Sequence, residues 1–174
     1  MQTLITIAVC LALLLGEALA VELFNLDVWL PHVGVGIVVF LALRPPWVVG
    51  CAGVLAAAWW ADLLGCSPPG VHALSLTLVF FIVKLGGQRL DGRSALVRTG
   101  VAVVAAGVLI TLEALMVTML GGAPWEPLAG FFIGALPSAL AAPVGLVVAW
   151  GALDRVDRFF TARQSRSLGT LGSR

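Results

Sequence analysis

Apolar residues run almost unbroken along this chain, and the polar ones gather in a few short clusters. Six apolar stretches, roughly 2–21, 28–43, 47–65, 71–87, 99–120 and 127–152, are separated by connections rich in Gly, Pro and charge. A stretch of about 20 apolar residues matches a hydrocarbon layer of about 30 Å at about 1.5 Å of helical rise per residue. The pattern predicts an all-α polytopic membrane protein with six transmembrane helices. They form one transmembrane domain over 1–153, followed by a basic tail over 154–174 whose last residues are expected to be disordered. Local breakers fix the expected helix ends: Arg44-Pro45-Pro46, the turn from Gly65 to Pro68-Pro69-Gly70, Gly86-Gly87, and Gly121-Gly122 ahead of Pro124. Ala18-Leu19-Ala20 is similar to a secretory cleavage site. Nothing basic precedes it and Glu17 falls inside it, so the stretch is read as the first helix.

Composition strengthens this reading. Of 174 residues, 60% are hydrophobic and only 11% charged, with a mean hydropathy of +1.07, which leaves too little charge to clothe a soluble domain. All 10 Lys and Arg residues fall in the second connection, in the fourth connection or at the helix end just before it, and in the tail, while the other connections carry none. Lys and Arg are retained on the cytoplasmic side, so both termini are expected there. The tail segment DRVDRFFTARQSRS alternates arginines with Val156, Phe159 and Phe160, and reads as ordinary cytoplasmic retention.

The acids distribute differently. Glu17, Glu22, Asp27, Asp62, Glu113 and Glu126 all belong to the half of the molecule without cations, as do His32 and His72. Glu113 stands about 10 Å below that boundary, where an acid costs about 3 kcal/mol to insert. It needs a proton, a hydrogen-bonding neighbour, a wet cavity or a partner. Asp62 lies nearer the boundary and is expected to brace the Gly65–Gly70 turn by accepting hydrogen bonds from its backbone amides or from His72. A recess for a partner or ligand, lined by Glu113, Asp62, His72, Glu17 and Trp59, is the candidate site.

No nucleophile motif, phosphate loop or metal-ligand spacing occurs, and an enzyme acting on lipid phosphates would want cations on the acidic face. No catalytic residue, metal or cofactor is expected. Cys10, Cys51 and Cys66 read as small apolar filler. Small residues at four-residue spacing recur instead: Ala8, Ala12 and Gly16 on helix 1; Gly53, Ala57 and Ala61 on helix 3; Gly130, Gly134, Ser138 and Ala142 on helix 6. Such ladders let helices approach closely in lipid, within the bundle or against a partner's helix. Packing within the bundle is the preferred reading for helices 3 and 6, whereas helix 1 stays open to either. Pro137 and Pro143 are expected to kink helix 6.

The stretches LALRPPW (41–47), WADLLG (60–65) and SPPGVHALSLTLVFFI (67–82) together resemble the bacterial rod shape-determining MreD family. There, an R-P-P type loop precedes a helix ending in a G-x-x-x-D-like motif, and a P-x-G-x-x-A-L segment opens the next helix. Asp62, Pro69, Gly70, Ala73 and Leu74 fit; Ala58 stands where glycine is common. The resemblance covers 41–82, about a quarter of the chain. It implies a non-enzymatic inner-membrane subunit of the cell-wall elongation machinery, bound to the single-pass protein MreC. Through MreC it would be linked to the MreB cytoskeleton, to RodA and to RodA's class B transpeptidase. It also implies a fold similar to the substrate-binding S component of energy-coupling-factor vitamin transporters. Such an S component is the alternative function, with Ala8, Ala12 and Gly16 facing the coupling subunit and Glu113, Glu17, Trp59 and Trp60 holding a cationic aromatic vitamin.

Overall fold

The computed structural model describes residues 2–24, 33–44, 46–64, 69–87, 94–121 and 128–171. Side chains are described there too, except at a few positions near helix ends, over 128–135, at Ser138 and beyond 159. The described residues form six helices and no strand: α1 (Gln2–Phe24), α2 (Val33–Leu43), α3 (Trp47–Leu64), α4 (Val71–Gly87), α5 (Ala95–Gly121) and α6 (Leu128–Leu171). Four of them, α1, α3, α5 and α6, are long and apolar enough to cross a membrane.

The helices pack as a closed ring around a centre. Each of α1, α3, α4, α5 and α6 touches its two ring neighbours in the order α1–α3–α4–α5–α6–α1, and α2 touches all five. The sequence of α2, VGVGIVVFLAL, explains its place. It has no polar side chain on any face, so it tolerates apolar cover on every side, and here other helices supply it. Nine of its 11 residues are buried. At about 16 Å it is also shorter than the 28–43 stretch predicted, because 25–32 lie outside the described residues.

Contact between α2 and α6 is close enough to need glycine. A Cβ on Gly36 would stand 2.6 Å from the Gly145 carbonyl oxygen and 2.8 Å from the Leu146 Cα, both backbone atoms. The α6 face that meets α2 is Ala142, Gly145, Leu146, Ala149 and Leu153, all buried. Of the predicted α6 ladder only Ala142 lies among them; Gly130, Gly134 and Ser138 fall outside the residues with described side chains. On α3, Gly53 and Ala57 are buried and Ala61 is half-buried, as expected. On α1 the core face is Thr6, Cys10 and Leu14, while Ala8, Ala12 and Gly16 are exposed on the opposite side. The α1 ladder therefore does not pack this bundle.

The helix of the last apolar run does not stop at 153. α6 continues as one helix to Leu171, carrying Pro137 and Pro143 inside it. Leu153 is 1% exposed and Asp154 9%, so the start of the basic segment belongs to the packed core.

Candidate functional site

At the acidic end, Asp62 sits on the last turn of α3, opposite the start of α4. Its carboxylate accepts three backbone N–H groups: Gly70 at 3.1 Å, His72 at 2.9 Å and Ala73 at 3.2 Å. The donors are few because Pro68 and Pro69 have none, and Gly70 presents its amide from a left-handed conformation at φ 93°. The first amides of a helix lack intrahelical acceptors and carry the positive end of its dipole, so one carboxylate answers both needs. Asp62 thus ties α3 to α4.

Glu17 does the same for the central helix. From α1 its carboxylate accepts the Val33 N–H at 3.0 Å, at the start of α2. Glu113 on α5 faces His72 on α4, with Glu113 Oε1 and His72 Nδ1 2.7 Å apart. That contact supplies the neighbour an inserted carboxylate requires. The two side chains keep 21% and 24% exposure, so the pair can still be reached from the surface.

The structure brings Asp62, His72 and Glu113 together: His72 gives its backbone to one acid and its ring to the other. Glu17 belongs to the α1–α2 joint, and Trp59 is 66% exposed on the outside of α3. Two cavities stand out among the described residues, and none of these five residues lines either. His32 lies outside the described residues. No group of three potential metal ligands occurs among the described residues.

The opposite end holds a cluster that sequence reading missed. Asp154 of α6 accepts from Arg44, at the end of α2, and from Arg158 at 2.6 Å; Asp157 lies 3.7 Å from the same Arg44. Trp150 packs edge-on against Phe40 with 5.1 Å between centroids, and the guanidiniums of Arg98 and Arg44 lie 4.4 and 5.5 Å from its ring centre. Lys84 lies 5.6 Å from the Trp47 ring centre. Arg44 and Arg158 converge on the buried Asp154, so the cluster forms a tertiary joint between the end of α2 and α6. The signal was available: Asp154 closes the last apolar run.

No family model, curated protein or solved structure matches this chain.

The arrangement is suited to holding helices in register. Glu113→Gln keeps an oxygen that accepts from the imidazole and is expected to cost under about 1 kcal/mol. Glu113→Leu strands a part-buried histidine and is expected to cost about 2 kcal/mol, read as the thermal midpoint of the purified protein in detergent.

Proposed function

We propose that this chain is a non-enzymatic, multi-pass subunit of the bacterial cell-wall elongation machinery. In this reading it lies in the cytoplasmic membrane with both termini and the arginine end inside. It binds an MreC-like single-pass protein, and through it connects to MreB, RodA and the class B transpeptidase. All six helices cross, the short α2 shielded from lipid by the ring, in an arrangement similar to the S-component fold.

One observation carries the reading. The residues of the 41–82 stretch that give the resemblance serve as joints: Arg44 ties α2 to α6, and Asp62 ties α3 to α4. A stretch whose polar groups are spent on assembly suits a scaffold subunit better than a turnover site. The vitamin-binding alternative has less support, because its acids are already engaged. Glu113 meets His72, Glu17 caps α2, and Trp59 turns outward.

Depletion in a rod-shaped host and affinity purification of the membrane-extracted protein test the proposal together. Rounding of the cells, with co-purification of a single-pass protein carrying a periplasmic coiled coil, is the expected result. Normal rods with a vitamin-uptake defect, or co-purification of an ATPase pair, would sink it.

A further inference from the structure

We propose that the seam between α4 and α5 holds one acyl chain of an anionic phospholipid, drawn from the leaflet at the arginine end. The inference rests on the chain being embedded in a membrane, and not on its role in elongation.

The seam contains a groove of about 430 Å³ whose walls carry no polar side chain, bounded by Val79 and Gly87 on α4 and by Val97 and Val108 on α5. Val79 and Val108 are the midpoints of their helices, and Gly87 and Val97 lie at the arginine end. The groove therefore occupies one half of the seam. It measures about 12–16 Å by helical rise, against about 15 Å for half of the hydrocarbon layer. In the other half of the seam His72 of α4 meets Glu113 of α5.

That half-length decides between occupants. A partner's transmembrane helix runs the whole thickness, whereas this groove ends at the midpoints of α4 and α5. An acyl chain runs from one interface to the midplane, as the groove does. Gly86 and Gly100 keep it open: a Cβ at either would meet nothing within 4 Å, so no helix contact requires glycine there. Each carries the helix-propensity penalty of glycine all the same.

Charge selects the headgroup. The interface where the groove opens carries Lys84 and Arg98 on the same two helices, Lys84 over the Trp47 ring and Arg98 over the Trp150 ring. Basic residues at a cytoplasmic interface attract anionic lipid.

The full chain is reconstituted in vesicles of equimolar phosphatidylglycerol and phosphatidylcholine and extracted in mild detergent. Retained lipid is then quantified by class. Wild type is expected to keep phosphatidylglycerol over phosphatidylcholine by about fivefold. Gly100→Leu fills the groove and should bring the ratio to parity. Gly107→Leu, at an equally open position that does not line the groove, should leave it unchanged. Gly86→Leu on the opposite wall repeats the reading if Gly100→Leu fails to accumulate. Parity in wild type, an unchanged ratio in the filled variants, or loss of a bound protein in place of lipid each overturn the proposal. A chain released from membranes by alkaline carbonate would instead contradict the membrane reading itself.

Discussion

Gly36→Ala is expected to be the most damaging single-methyl change in this protein. The added Cβ would lie 2.6 Å from the Gly145 carbonyl oxygen and 2.8 Å from the Leu146 Cα. Neither atom is the end of a flexible side chain, so α2 and α6 must separate. Because α2 touches every other helix, a shift there loosens all five contacts at once. Overpacking of this kind costs about 3 kcal/mol or more when backbone has to move. Gly34→Ala is the matched control: its Cβ meets only Leu14 Cδ2, at an ordinary 3.7 Å, and alanine favours the helix. The folded level in membranes and the thermal midpoint in detergent should fall for Gly36→Ala and hold for Gly34→Ala. Equal behaviour of the two variants would mean that the α2–α6 crossing is not as close as described.

Asp62→Leu should have the next largest effect. It leaves the amides of Gly70, His72 and Ala73 without their acceptor. Water reaches this end of the bundle and replaces part of the loss, so about 2 kcal/mol is expected. Asp62→Asn has one carbonyl oxygen where two carboxylate oxygens served. In the place of Oδ2 it still accepts from Gly70 and Ala73, and loses only His72. A loss under about 1 kcal/mol follows. The order wild type, Asn, Leu in thermal midpoint is the measurement, accompanied by faster hydrogen exchange at the first turn of α4 in the leucine variant. If Asp62→Leu melts normally yet loses its bound partner, Asp62 acts as a recognition residue and the capping account fails.

What the sequence settled follows from local rules. The ends of α2, α3, α4 and α5 lie at or beside the Pro and Gly that break the apolar runs, whereas α6 runs through Pro137 and Pro143. Asp62 was legible as a brace because a Pro-Pro-Gly turn offers few amides and a nearby carboxylate meets them. The polar inventory of Glu113 was legible too, as a demand for some partner. Which partner was not, because His72 lies 41 residues away and only the adjacency of α4 and α5 brings them together.

The all-helical class and the segregation of charge to one end belong to the sequence, because hydropathy and the placement of Lys and Arg are properties of each segment separately. Only the tertiary structure decided which face of each helix is covered. Four-residue spacing on α1 and α3 looks alike in sequence, yet Gly53 and Ala57 are buried while Ala8, Ala12 and Gly16 are not. In an apolar solvent, small residues do not by themselves choose a direction. The choice falls to the ring around α2, where Gly36 meets Gly145, two glycines that no ladder marked and that only the helix crossing gives a purpose.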